Sequence, residues 1–128
     1  MRALLDTHAF LWFILDDPRL SSRARSIIAD TGNVIAVSPA CLWEIAIKIS
    51  LGKYSLNVSF GPFMEEQMGA NRLELLPILV PHLAVLTTLP FHHRDPFDRL
   101  LIAQTIAEGF PILSSDAKLD AYQAARIW

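Results

Sequence analysis

The sequence predicts an α/β fold built on a parallel sheet. Short apolar strands alternate with helices along the 128 residues. The run Val34–Val37 is continuous, apolar and rich in β-branched side chains, which is typical of a buried strand. The segment Asp95-Pro96-Phe97-Asp98 supplies an N-cap, a proline at the first helical position and an acid in the first turn. Strands that alternate with helices imply right-handed crossovers and parallel neighbours.

The other elements follow from caps, glycine stops and apolar runs. Ser38 is the expected N-cap before Pro39, and Gly52 and Gly109 are expected to end helices. Asp116 could cap a short helix near the end of the chain. In chain order the predicted elements are a strand ending at Leu5, helices over 8–15 and 22–31, the strand 34–37, a helix over 39–51, a loop over 53–61, a helix over 62–68, a strand over 73–76, helices over 81–88 and 96–108, a strand over 111–113 and an edge strand over 125–128.

Length and composition indicate one folded domain over residues 1–128. Hydrophobic residues make up 52% of the chain and charged residues 19%, which excludes a disordered chain. No apolar run approaches the ~20 residues that span a bilayer, and Asp6 and His8 interrupt the N-terminal run before a signal peptide could form. Cys41 is the single cysteine, so no intramolecular disulfide or cysteine zinc site is expected, and the expected compartment is the cytoplasm.

Four carboxylates stand where an apolar stretch gives way to a helix start or a turn. Asp6 and Asp116 follow predicted strands, whereas Glu44 and Asp98 lie early in predicted helices. Because ligands of parallel sheets bind outside the carboxyl ends of the strands, where crossover helices also begin, all four should converge on one edge. Clustered acids repel one another unless cations are present, so the pattern predicts divalent-metal chemistry.

Each acid also has a simpler structural explanation. Asp6 could cap the following helix, and Asp98 could complement the helix dipole beside the N-cap Asp95. Glu44 could pair with Lys48 four residues later, worth ~0.2–0.5 kcal/mol. That gain is small beside several kcal/mol for desolvating a carboxylate in a helix that is apolar nearly all round. We therefore expect Glu44 to face a polar cleft, and no single explanation accounts for four acids at one edge.

Other polar and aromatic residues are weaker candidates. The segment His92-His93-Arg94 is interpreted as an exposed polar loop, with contact to phosphate as the alternative. The three tryptophans are interpreted as core or dimer contacts: Trp12, Trp43 and Trp128. Four hydroxyl groups at predicted strand ends could orient an acid or a metal-bound water, or could serve only in turns: Thr7, Ser38, Ser114 and Ser115.

Four segments together resemble the PIN-domain ribonucleases, and within them the VapC-type toxins of bacterial toxin–antitoxin pairs. The segments are 4–8, 43–45, 95–104 and 113–116, and the stretch from Asp95 to Gln104 is the most specific. The resemblance covers essentially the whole chain in order. It implies a three-layer α/β/α fold with a parallel five-stranded sheet and a magnesium- or manganese-dependent endoribonuclease activity on RNA. It also implies a homodimer that a small VapB-type antitoxin neutralises.

Carried over by position, the family's four acids fall on Asp6, Glu44, Asp98 and Asp116. The family's small hydroxyl residue falls on Ser114, where threonine is more usual, and should hydrogen-bond to Asp6. The Ile102-Ala103 spacing favours Asp98 over Asp95 as the third acid, which leaves Asp95 in a supporting role. In this scheme all four acids serve the metal site. Asp6 and Asp98 are direct ligands, Asp116 binds a second metal or acts through water, and Glu44 orients a water.

Two alternatives belong to other classes. A phosphatase of the haloacid-dehalogenase type also uses an aspartate after the first strand, but it needs a second aspartate two residues later, where this chain has His8. A non-catalytic domain could instead use an acidic cleft to hold an arginine-rich peptide, since such a cleft suits arginine as well as a metal. A magnesium titration separates the last case from a metalloenzyme.

Overall fold

The computed structural model describes residues 1–128, which form five strands, six α-helices and one 3-10 helix. The elements in chain order are β1 Arg2–Leu5, α1 Thr7–Ile14, α2 Ser22–Ala29, β2 Val34–Val37, α3 Pro39–Ser50, α4 Phe60–Ala70, β3 Glu74–Leu75, α5 Val80–Thr87, α6 Pro96–Glu108, β4 Ile112–Leu113, the 3-10 helix Ala117–Ala121 and β5 Arg126–Ile127. The predicted α/β alternation is confirmed.

All five strands are parallel and lie in the order β3-β2-β1-β4-β5. In the central strand β1, Leu4 lies opposite Ala36 of β2 on one side and Ile112 of β4 on the other. The chain first builds the sheet outward from β1 to β3 and then returns to the other side of β1 with β4. The switch point therefore lies between β1 and β4, where ligand crevices of such sheets form.

The core lies between the sheet and its helices. Strands β1 and β2 each bury their last three residues, as expected for strands covered on both faces. Helix α3 packs against both α1 and α6, and α6 packs against α5. Of the tryptophans, Trp12 contacts Trp128 edge-on and both are partly buried, whereas Trp43 is 61% exposed and lies outside the core. No helix combines the length and the apolar character needed to cross a bilayer.

The predicted N-cap of α3 is present, because Ser38 Oγ accepts a hydrogen bond from Ala40 N at 3.2 Å. Helix α2 is capped in the same way by Ser21, whose Oγ accepts from Ala24 N at 3.0 Å. At the end of α6, Gly109 has φ 75°, a left-handed conformation that costs glycine nothing because it has no Cβ.

Helix α4 differs most from the prediction. A helix was expected over 62–68 after a loop, but it begins at Phe60 and continues to Ala70. Pro62 lies in its first turn, where the missing N–H would have had no helical partner, so proline does not mark the start. Smaller differences affect ends: the second helix stops at Ala29, and the strands predicted over 73–76 and 111–113 are paired only at Glu74–Leu75 and Ile112–Leu113.

Candidate metal centre

The four predicted acids meet at the carboxyl edge of the sheet, around the switch point. Asp6 directly follows β1, and Asp116 follows β4 after two serines. Glu44 lies in the second turn of α3 and Asp98 in the first turn of α6. The acids lie near enough to influence one another's ionisation, Asp6 with Asp116 and Asp98 with Glu44 and Asp6. The ends of two strands and the starts of two helices thus bring together side chains as far apart in sequence as Asp6 and Asp116, which are 110 positions apart.

Asp6 is both a helix cap and a half-buried acid. Its Oδ1 accepts a hydrogen bond from Ala9 N at 2.7 Å, so the capping role considered from the sequence is real. Burial raises the pKa of its carboxyl above the ordinary value, and hydrogen bonding by the Ser114 hydroxyl and Ala9 N opposes that shift. Asp6 forms no ion pair.

Asp98 has a raised pKa and no ion-pair partner. Its half-buried carboxylate accepts no hydrogen bond, while Asp95 caps the helix by accepting from Phe97 N at 2.8 Å and from Asp98 N at 3.1 Å. Burial is the main cause that raises the pKa of Asp98 to about 6. The negative charges of Asp95, Glu44 and Asp6 raise it in addition. The influence of nearby His93 acts in the opposite direction but is outweighed, so Asp98 lies in a predominantly negative environment.

Glu44 is held by two partners and is only 6% exposed. Thr7 Oγ1 donates to its Oε1 at 2.7 Å, and Lys48 Nζ donates to its Oε2 at 2.9 Å. The i,i+4 pair with Lys48 is therefore formed, and Glu44 is buried between Thr7 and Lys48 rather than exposed in an open cleft. Its hydrogen bond with Thr7 connects it to the residue next to Asp6.

Asp116 is paired with a histidine that sequence analysis placed in an exposed loop. His93 Nε2 lies 2.8 Å from Asp116 Oδ2, and the His93 side chain is only 7% exposed. Asp116 Oδ1 accepts from Lys118 N at 3.0 Å. Burial acts to raise the pKa of Asp116, but the hydrogen bonds from His93 and Lys118 N outweigh it and keep the pKa below the ordinary value. The interpretation of 92–94 as an exposed polar loop is therefore wrong for His93.

The predicted supporting hydroxyls divide into different roles. Thr7 is buried and orients Glu44, whereas the Ser114 hydroxyl accepts from Asp116 N at 3.0 Å and takes part in the hydrogen bonding of Asp6. Ser38 serves as the cap of α3, and Ser115 is exposed.

The donor set suits a hard divalent cation. Carboxylate oxygens are the ligands that Mg²⁺ and Mn²⁺ prefer. The nearby Cys41 is excluded as a thiolate ligand because burial raises its pKa to about 12 and its Sγ–H points to Leu5 O at 3.7 Å. No group of three or more His, Cys, Asp or Glu side chains is arranged to hold a metal ion as these side chains stand. The residues therefore fit Mg²⁺ or Mn²⁺ in two respects: their donor atoms are carboxylate oxygens, and Asp6 and Asp98 have no basic side chain as a partner.

A parallel sheet with four acids at its switch point defines an α/β protein with an acidic candidate metal centre. A family model for the PIN domain matches residues 3–125. The chain therefore belongs to the PIN domain family, and PIN domains are generally nucleases. A comparison with curated protein sequences gave no significant match.

Solved structures share the fold at low sequence identity. One of them is the structure of VapBC2 from Rickettsia felis bound to a DNA fragment from the VapBC2 promoter. A chain of that complex has a TM-score of 0.75 and 17% sequence identity, and the match covers 99% of this chain and 98% of that chain. A chain of FitAcB from Neisseria gonorrhoeae has a TM-score of 0.65 and 18% identity, covering 98% and 96%. A chain of FitAB bound to an IR36 DNA fragment has a TM-score of 0.64 and 19% identity, covering 98% and 93%.

Proposed function

We propose that this protein is a metal-dependent endoribonuclease and the toxin component of a type II toxin–antitoxin pair. One observation carries the proposal: Asp6 and Asp98 are half-buried acids without an ion pair, at the sheet edge where parallel folds bind ligands. Membership of the PIN family supports the nuclease class. The toxin assignment rests on the VapC-type motifs and on the fold shared with VapBC and FitAB chains.

The four acids have distinct places in this proposal. Asp6 and Asp98 bind Mg²⁺ or Mn²⁺ directly, because no basic side chain competes for their oxygens. Asp116 contributes through a second ion or through water, and Glu44 orients a water. When bound, the cation supplies charge neutralisation of the scissile phosphate and a bound water acidic enough to give a nucleophile near neutral pH.

The protein side chains supply orientation. Thr7 and Lys48 each donate a hydrogen bond to one oxygen of Glu44, so the orientation of the carboxylate group is fixed. Asp95 fixes the first turn of α6 and thereby the backbone position of Asp98. Preorganised groups of this kind lower a barrier because they need not reorganise during the reaction.

Charge makes the proposed activity strictly metal-dependent. The chain has a formal net charge of −2, and four acids line the site, so a phosphodiester is repelled from the metal-free edge. Without cations the protein should therefore bind RNA weakly at this edge as well as fail to cleave it.

The direct test is cleavage of total RNA and of a defined RNA oligonucleotide by the purified protein. Cleavage is expected with Mg²⁺ or Mn²⁺, none with EDTA, and none with Asp98→Asn. A DNA oligonucleotide of the same sequence tests the preference for RNA. Binding of the cation without cleavage of any RNA would contradict the nuclease proposal. Absence of cation binding would favour the non-catalytic acidic cleft instead.

We further propose that a small VapB-type antitoxin inhibits the protein at this same edge. Arginine binds carboxylates bidentately, so an arginine or lysine placed near Asp6 and Asp98 would compete with the cation. Apolar contacts would provide most of the affinity. Full ribonuclease activity at saturating antitoxin, or a structure of the complex in which the acidic edge stays open, would refute this arrangement.

A homodimer and a cytoplasmic location stay predictions. Trp43 is exposed and packs edge-on against Phe97 with ring centroids 5.2 Å apart, which makes this pair the candidate dimer contact. Sedimentation of the wild type and of Trp43→Ser tests this: a dimer that persists unchanged in the variant would remove Trp43 from the interface.

A further inference from the structure

His93 enters the acidic edge from the loop before α6. Its ring is nearly inaccessible to solvent, and both ring nitrogens have partners: Asp116 Oδ2 at 2.8 Å from Nε2, and the Tyr122 hydroxyl at 3.3 Å from Nδ1. Tyr122 is buried beneath this loop and also accepts a hydrogen bond from His92 N at 3.0 Å.

These contacts form one consistent chain of hydrogen bonds. Ionised Asp116 can only accept hydrogen bonds, so Nε2 of His93 carries a hydrogen and donates a hydrogen bond to Asp116. Nδ1 is then free to accept from the Tyr122 hydroxyl, whose oxygen in turn accepts from His92 N. Every donor meets an acceptor with a neutral imidazole, so the arrangement defines a single tautomer of His93.

The loop that carries His93 is also fixed from its other side. The buried Arg99 donates from its two terminal nitrogens to Pro90 O at 2.9 Å and Leu89 O at 3.1 Å, and the Phe91 ring lies 3.8 Å from its guanidinium carbon. Arg99 forms no ion pair, so its hydrogen bonds serve to hold backbone carbonyls. The main chain is therefore restrained just before His93 as well as after it, at the Asp95 cap.

Asp116 shows what this restraint controls. Its Oδ1 is bound by Lys118 N, a local bond that caps the 3-10 helix. One hydrogen bond leaves a carboxylate free to rotate, whereas a second bond to Oδ2 fixes its plane. Capping needs only the first bond, so the bond from His93 is additional to local structure.

We propose that His93 is a positioning residue that orients the Asp116 carboxylate for the metal centre. The inference rests on the proposed function and extends it to a residue outside the four acids. Groups that hydrogen-bond to ligating carboxylates set their orientation, and their removal typically costs about 10- to 100-fold in metal affinity or activity. Tyr122 acts one step further out, through the tautomer of His93.

The test compares His93→Ala with His92→Ala, a matched change at the neighbouring exposed histidine. Isothermal titration with Mn²⁺ should show about 10- to 100-fold weaker binding for His93→Ala and little change for His92→Ala. The kcat for cleavage of the RNA oligonucleotide should fall by a similar factor, while the KM for RNA should stay nearly unchanged because the His93 side chain is nearly inaccessible and does not contact the RNA. His93→Gln, whose amide can still donate to Asp116, should recover part of the loss even if His93→Ala folds poorly.

A double-mutant cycle identifies the partner through which His93 acts. In an Asp116→Asn background, His93→Ala should weaken Mn²⁺ binding by less than about twofold, because the residue has lost the group it orients. An undiminished effect in that background, or wild-type Mn²⁺ binding by His93→Ala, would overturn the inference while leaving the proposed function intact. If the wild type neither binds Mn²⁺ nor cleaves RNA, the proposed function fails and this inference fails with it.

Discussion

The acidic edge contains two kinds of acid that share a location but differ in their partners. Glu44 and Asp116, here called the paired acids, each have a side-chain partner that donates a hydrogen bond to the carboxylate, Lys48 and His93 respectively. Asp6 and Asp98, the unpaired acids, have none. The pKa of both unpaired acids is raised, while that of Asp116 is lowered.

The difference shows how one cluster can be both stable and reactive. If these four carboxylates contributed only to stability, we would expect each of them to have a partner, because an unpaired half-buried charge lowers stability. Two remain unpaired at the switch point, next to two that are fixed in place. We infer that the paired acids hold the geometry of the edge, while the unpaired acids provide the negative charge that attracts a cation.

The largest expected effect comes from neutralising the unpaired acids. Asp6→Asn and Asp98→Asn should each reduce metal-dependent RNA cleavage more than about 100-fold, beyond the usual cost of losing an outer partner of a metal site. Both variants should stay folded, and at neutral pH Asp98→Asn should be slightly more stable than the wild type. Gel-based cleavage assays with circular dichroism melts measure both properties, and near wild-type cleavage by either variant would remove that residue from the site.

The pH dependence of the metal-free protein should follow from the same acids. The pKa of Asp98 is about 6 when folded against 3.8 unfolded, so between these values the folded state binds more protons. Stability should therefore fall as pH rises from about 4 to 7, by on the order of 2 kcal/mol after allowance for solvent screening. Asp6, whose pKa is also raised, acts in the same direction.

Urea denaturation in EDTA measures this slope. The dependence should flatten in Asp98→Asn. The lowered pKa of Asp116 has the opposite sign, but its contribution is lost only as pH falls below about 4, outside this window. An equally steep slope in Asp98→Asn would show that other groups cause it.

Breaking one paired acid should cost stability. Lys48→Met leaves Glu44 buried with Thr7 as its sole partner, and we expect a loss of about 1–2 kcal/mol, less than for a fully buried pair because Lys48 is partly exposed. The double variant Lys48→Met with Glu44→Gln should recover most of the loss, since no buried charge remains. Chemical denaturation of the three proteins provides the comparison, and no recovery in the double variant would mean that Lys48 acts through packing.

The smallest expected effect concerns Asp95. Asp95→Ala removes the cap of α6 and should lower the free energy of unfolding by about 1 kcal/mol. Asp95→Asn keeps a capping oxygen and removes a charge that raises the pKa of Asp98, so it should be no less stable than the wild type. Equal destabilisation by both variants would contradict the inference that the capping oxygen of Asp95 stabilises the protein independently of its negative charge.

Local signals explain why so much of the fold could be predicted. Val34–Val37 and the Asp95-Pro96 start are determined by residues within a few positions of one another, and the structure has both as expected. The start of α4 was misplaced because proline fits anywhere in the first helical turn. The order of strands comes from tertiary packing, which no local run encodes.

The candidate site shows the same division between features that local sequence predicts and features that depend on tertiary packing. The four acids could be located because parallel topology places strand ends and helix starts together. His93 could not, because its role depends on Tyr122 and Asp116, which approach it only in the folded chain. Adjacency to the Asp95 cap was the one available signal, and it does not separate His93 from the exposed His92.

Calorimetric titration of the metal-free protein with Mn²⁺, beside Asp98→Asn and the paired-acid variant Glu44→Gln, tests whether the unpaired acids bind the cation. We expect saturable binding by the wild type, loss of binding in Asp98→Asn and only weakened binding in Glu44→Gln. Thermal melts should show the matching stabilisation, because a ligand of the folded state alone raises its stability. No binding by the wild type at millimolar Mn²⁺, or equal binding by Asp98→Asn, would contradict the assignment of the unpaired acids as the cation site.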